Sequence, residues 1–216
     1  MKYGYKEFNH YQFLPKNVIH VFRESTIDEF GEGVEWYKNA NRICKKLSRD
    51  SGVTFAKACG VFAGLSPNNH VATNESDARR MLNASRFGKH FDVTVSTYDL
   101  NKFKSASVID CPVNSSKRIL EIIKGKKVQA FYKCIKDVKT NKDSVCIDGH
   151  AKAIAMGVRF TVSNPKSNVT PKQYDVLVDC YKTATNIINR KYNLNLLPFQ
   201  VQAVTWVTWR RLNGIK

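Results

Sequence analysis

The sequence predicts an all-α protein, on three observations. Apolar residues recur with the helical period along most of the chain, glycine, proline and Ser/Asn clusters punctuate the periodic stretches at helix lengths, and alternating strand patterns are nearly absent. The chain has 216 residues, 43% of them hydrophobic. That is enough to bury one substantial core, as one domain or as two closely packed helical lobes.

Residues 1–25 are rich in aromatic and polar residues without a clear period and read as an N-terminal arm, irregular or partly helical; residues 26–216 read as the helical domain. From Thr26 onward Trp36, Ala40, Ile43, Cys44 and Leu47 form one apolar stripe, and Ser51-Gly52 ends that helix. A more completely buried helix runs through VTFAKACGVFAGL, where Gly60 and Gly64 permit close helix contact, and stops at Ser66-Pro67. The segment SPNNH is a loop, and Thr73 or Asn74 is placed to cap the next helix, which closes at Gly88.

Two shorter helices follow, around Tyr98–Val108 and Ser115–Ile123, separated by Cys111-Pro112. Asp92–Ser96, in FDVTVS, is the one alternating stretch that suggests a strand. IIKGKKVQAFYKCI reads as a helix end, a tight turn at Gly125 and a new helix: a hairpin of helices. After a polar insert, a short apolar run meets Asp148 and a small-residue helix begins. Beyond a Pro/Ser/Asn-rich loop from Ser163 to Pro171, Leu177, Tyr181, Ala184 and Ile188 mark a long amphipathic helix, and Pro198 opens the last one.

Charge is the strongest compositional signal. Thirty-five Lys and Arg against 18 Asp and Glu leave a formal net charge of +17, which points to a polyanionic partner, nucleic acid first. No window is apolar enough for a membrane span, and the N-terminus lacks the apolar run of a signal peptide; a soluble, cytoplasmic protein and a monomer are expected. The six cysteines are scattered without the close pairs of a zinc or iron–sulfur site, so they read as reduced core residues, with no metal and no cofactor.

Two local features carry chemistry. A glycine turn between helices presents backbone N–H groups at a helix N-terminus, a seat for a DNA phosphate, and Lys124, Lys126 and Lys127 around Gly125 add charge. A surface turn with solvated lysines is the bland alternative. Asp148 stands where an apolar run ends and a helix starts, the position of an N-cap, where the helix dipole favours the ionised carboxylate. A reaction passing through a sugar oxocarbenium ion uses such a carboxylate; a purely structural cap uses it equally well.

In the order Gly125-Lys126-Lys127, then Ile147-Asp148-Gly149-His150-Ala151, the chain resembles the helix-hairpin-helix DNA glycosylase superfamily. There a hairpin glycine is followed two residues later, in the bifunctional members, by a lysine, and further along by an aspartate in a motif similar to V-D-T-H-V or L-D-G-N-V that opens a helix. The resemblance spans roughly Val53 to Phe160. It implies a two-lobed helical fold and a base flipped out of DNA. It also implies Asp148 as the catalytic aspartate, and Lys127 as the amine that forms a Schiff base with the sugar.

By the same resemblance Lys124, Gly125 and Lys126 hold DNA, and Ser66, Asn68 and Asn69 are candidate base or strand contacts; Asn74 is a further base-pocket candidate, and His150 reads equally as a base-pocket contact or as a helix-start residue hydrogen-bonded locally. The chain keeps only one glycine of the family's usual L-P-G-x-G hairpin and lacks the C-terminal cysteine cluster of the iron–sulfur members. In the last helix Trp206 and Trp209 are expected to bury into the core, and Arg210 and Arg211 to reach phosphate. That helix, with SPNN and Asn74, looks more like phage-encoded relatives, some proposed to act in thymine hypermodification.

Three functions therefore compete, in a bacterial or phage-infected cell. The first is N-glycosidic cleavage at a modified pyrimidine in DNA. The second is transfer of an amine or amino acid onto activated 5-hydroxymethyluracil, displacing its pyrophosphate. The third is DNA binding without chemistry.

Overall fold

The structure, a computed structural model, describes residues 13–112, 114–160 and 164–215. Those residues form ten α-helices and no strand: α1 (Pro15–Arg23), α2 (Ile27–Ser51), α3 (Phe55–Leu65), α4 (Val71–Ser85), α5 (Asp99–Asp110), α6 (Ser116–Ile123), α7 (Lys126–Lys136), α8 (Gly149–Met156), α9 (Pro171–Tyr192) and α10 (Pro198–Leu212). The chain divides into two compact units, one made of residues 1–35 and 147–216, the other of residues 36–146. Helix α2 crosses the boundary and contributes to both.

The 36–146 unit is built around α3, every residue of which from Ala58 to Leu65 is buried. The two glycines of α3 explain how α5 and α6 come so near. A Cβ at Gly60 would stand 2.8 Å from Ile119 Cγ2 on α6 and 2.9 Å from Val108 Cγ1 on α5, and one at Gly64 would collide with Ser105 Oγ on α5. The rings of Trp36, Phe62 and Phe131 close the other side, with Phe131 centred 5.7 Å from Trp36 and 6.2 Å from Phe62. Such tilted ring pairs add to the burial of their area.

In the other unit α1 packs on α8, α9 and α10, so part of the expected arm, residues 15–23, is an ordered helix with Val18, Val21 and Phe22 buried; residues 1–12 lie outside the described residues. Helix α9 begins in a capping box, Thr170 Oγ1 accepting from Gln173 N and Gln173 Oε1 accepting from Thr170 N. Helix α10 is held to α2 by close backbone approach at Gly33 and by Gln200, whose side-chain amide donates to Val34 O.

Three local expectations are corrected. Asp92–Ser96 is not a strand: the Ser96 N–H donates to the buried Asp77 Oδ2 at 2.8 Å, so the segment is fastened by a side chain rather than by a ladder. Helix α4 starts at Val71, not after Asn74, and Asn74 turns inward from its first turn instead of capping it. Trp206 and Trp209 are half-buried on the flank of α10, whose core face is formed by Val201, Val204, Thr205 and Thr208.

Five of the six cysteines are buried and all are free; burial pushes the Cys180 thiol up to about 12 and holds those of Cys44 and Cys134 well above their ordinary range. No described helix is long and apolar enough to cross a membrane.

Candidate functional site

The 147–216 segment presents Asp148 at a helix start. Its backbone is extended, φ −118° and ψ −173°, and Oδ1 accepts from Ala151 N at 2.8 Å, the geometry of an N-cap. Two tyrosines of α9, one heptad apart, fix the segment around it. Tyr174 Oη accepts from Ile147 N at 3.4 Å, and Tyr181 Oη donates to Ala151 O at 3.3 Å. Tyr181 is wholly enclosed, and burial, with the nearby Asp148 carboxylate adding to it, pushes its phenol far above the ordinary range. The carboxylate's second oxygen, Oδ2, makes no hydrogen bond among the described residues.

The loop before α9 packs directly on this helix start. A Cβ at Gly149 would meet Ser167 O at 3.0 Å, and Lys152, one turn after Asp148, donates to Asn168 O at 2.6 Å and to Gln173 Oε1 at 3.1 Å. Lys152 is only 6% exposed and has no carboxylate partner among the described residues. Sequence reasoning missed it, although a lysine inside the small-residue run AKAIAM was the visible signal. His150 is half-buried.

Burial lowers the Lys152 pKa below its ordinary value of 10.5. Between the lowered native value and 10.5 the unfolded chain binds more protons than the folded one, so stability should rise with pH across that alkaline window. The urea midpoint is expected to show this rise in the native protein and to lose it in Lys152→Met.

The 36–146 unit carries the glycine turn. Helix α6 ends at the buried Ile123, Lys124 follows with φ +36° and ψ 157°, Gly125 with φ +88° and ψ 122°, and α7 starts at Lys126. The hairpin is closed by Gln129, whose N–H donates to Gly125 O and whose side chain donates to Leu120 O at 2.7 Å. Lys124, Gly125, Lys126 and Lys127 are all exposed, and no side chain caps α7. Cys146, two residues before Asp148 in the chain, donates a weak S–H bond to Lys127 O at 3.8 Å.

Lys124 occupies backbone space that favours glycine, at a cost of about 1–3 kcal/mol. Lys124→Gly is therefore expected to raise stability by about 1 kcal/mol in a thermal melt, after the larger unfolded-state entropy of glycine is deducted. Gly125→Ala should lower it by a similar amount through backbone strain alone, since a Cβ there meets nothing within 4 Å.

The predicted base-pocket residues of this unit share one corner. Ser66 Oγ donates to Ala63 O, Asn68, with φ +55°, donates to Tyr98 Oη at 2.6 Å, and Asn69 Nδ2 donates to Asp77 Oδ2 at 3.2 Å. Asn74 is buried and donates to Phe62 O at 2.9 Å, leaving its Oδ1 without a partner. Asp77, fully buried and paired with Arg80, organises the corner; the sequence reading did not single it out.

At the far end of the chain the Arg211 guanidinium is engaged by Glu29 Oε1 at 2.5 Å and by Glu24 O at 2.7 Å, so it anchors α10 to the α1–α2 corner and holds the Glu29 carboxyl below its ordinary range. Arg210 stacks on Trp206, 4.7 Å from the ring centroid.

Asp148, His150, Arg210 and Arg211 thus belong to one unit, and the hairpin residues with Ser66, Asn68, Asn69 and Asn74 to the other. No group of three or more His, Cys, Asp or Glu side chains among the described residues is arranged to hold a metal ion. No curated protein and no solved structure matches the chain. One family model does, and it covers residues 6–213 and so runs through both units: the chain belongs to this family of unknown function, DUF7178.

Proposed function

We propose that the chain is a DNA-binding enzyme of the glycosylase type, gripping a phosphate with the Gly125 turn and acting with Asp148 on a modified pyrimidine extruded from the duplex. The observation that carries this proposal is the Asp148 carboxylate: Oδ1 is fixed by the cap while Oδ2 makes no hydrogen bond among the described residues, so one oxygen orients the group and the other is available to a developing positive charge. The exposed lysines at 124, 126 and 127 and the net charge of +17 supply the attraction for phosphate.

In the reaction the bond between C1′ and the base nitrogen breaks, its electron pair leaves with the base, and the cationic sugar is stabilised by the carboxylate. Water then adds at C1′, and the proton it gives up neutralises the departed base anion. Lys127 in this scheme continues to strand cleavage: its amine condenses with the opened C1′ aldehyde and releases water, and loss of a C2′ proton from the resulting imine then expels the 3′-phosphate with its bonding electron pair.

Nucleosides and free bases released from duplexes containing thymine, uracil or 5-hydroxymethyluracil, read by mass spectrometry, test the proposal. Free base from one of the modified duplexes is the expected result. A heavier nucleoside from a further duplex carrying pyrophosphorylated 5-hydroxymethyluracil, with an amine supplied to displace the pyrophosphate, would replace excision with group transfer, and tight binding with no product from any duplex would overturn the enzymatic assignment.

A further inference from the structure

Residues 86–104 of the 36–146 unit expose an unusual amount of ring surface. Phe87 is 78% exposed, Tyr98 and Leu100 63%, Phe103 52% and Phe91 38%. Leu100 and Phe103 lie one turn apart on the outer side of α5, and the Phe91 ring lies against Phe103 with centroids 6.3 Å apart. Around them the segment is tied by the backbone N–H of Ser96 to Asp77 and by the side chains of Thr97, to Pro67 O at 2.8 Å, and Tyr98, to Asn68. The segment between the phenylalanines is thus fastened to the rest of its unit.

Charge identifies the occupant. Lys89, Lys102 and Lys104 interleave with these rings, and none has an ion-pair partner among the described residues, although Asp92 and Asp99 lie in the same stretch. A ligand that offers flat π faces and a regular negative charge together is an unpaired nucleotide strand, which combines stacking with backbone electrostatics.

We propose that Phe91, Leu100 and Phe103, flanked by Lys89, Lys102 and Lys104, form a stacking platform for unpaired nucleotides. It rests on the nucleic-acid reading of the protein, which it deepens by assigning a second surface to the unpaired strand.

Fluorescence anisotropy of the full chain with a labelled oligothymidylate, the corresponding oligouridylate and a blunt duplex tests it. The paired substitutions Phe91→Ser and Phe103→Ser should weaken single-strand binding about fivefold or more per lost stack. Duplex affinity and the salt slope should stay unchanged. Lys102→Ala with Lys104→Ala should instead lower the single-strand salt slope by about one unit. Preference for either oligomer, or equal affinity for both, supports the platform.

Single-strand affinity within twofold of the parent in the Phe variants would overturn it, as would a parent dimer that these variants split, seen by light scattering, without change in nucleic-acid affinity. Failure of the parent to bind single strands while it binds duplex sinks the platform alone. Failure to bind any nucleic acid sinks the proposed function with it.

Discussion

Gly33→Ala is expected to lower stability by about 3 kcal/mol or more, a fall of roughly 10 °C in the thermal midpoint of a chain this size. The cause is the crossing of α2 and α10. A Cβ at Gly33 would lie 2.6 Å from both Val204 N and Val204 Cγ2 and nearer still to Val204 Cα. A flexible side-chain tip could swing aside, but main-chain atoms cannot, so one of the two helices must shift and the packing of Phe199, Val201 and Val204 must loosen with it. Gly31, two residues earlier on the same helix, supplies the internal control. Its Cβ would meet nothing within 4 Å, and Gly31→Ala should stabilise by about 0.5–1 kcal/mol through helix propensity. Opposite signs for two identical substitutions separated by half a turn would tie the effect to the crossing. Equal shifts in the two melts would show that α10 does not sit on Gly33.

What the sequence made legible follows from the range of the interactions involved. The stripe of Ala40, Cys44 and Leu47, the buried α3 with its glycines at 60 and 64, the hairpin turn at Gly125 and the cap at Asp148 are each specified within a turn or two of chain. They stand where the pattern put them. The failures share the opposite property.

Asp92–Ser96 alternates like a strand, but its backbone donor is claimed by Asp77, 19 residues earlier, and no local rule reports that. Asn74 has the chemistry of a cap, yet its amide is worth more satisfying Phe62 O inside the core. Gly33 looked like any glycine in a polar helix because Val204 approaches from the other end of the chain. Lys152 stands out only as a lysine within a small-residue run: its acceptors, Asn168 O in the loop before α9 and Gln173 Oε1 in the first turn of α9, are not specified by any local pattern. The candidate site is therefore readable where a single turn creates it, at 125 and at 148. The shell around Asp148 is readable only in three dimensions.

Asp148→Asn should separate the structural from the chemical role of the cap. Asparagine caps helices about as well as aspartate, and its Oδ1 can still accept from Ala151 N, so the melt should stay within a few tenths of a kcal/mol of the parent. Asp148→Ala removes the acceptor altogether and should cost about 1 kcal/mol. Affinity for duplex DNA, which the proposed function places on the lysines around Gly125, should be equal in all three proteins. Turnover should not: on the proposed mechanism a neutral amide replaces the carboxylate that stabilises the developing sugar cation, a loss of about a thousandfold. The asparagine protein would then be as stable and as tightly bound as the parent, yet inactive, a combination that a structural cap cannot produce. Product release by Asp148→Asn within a fewfold of the parent rate would reduce Asp148 to a helix cap, and the chemistry would have to be sought in another side chain.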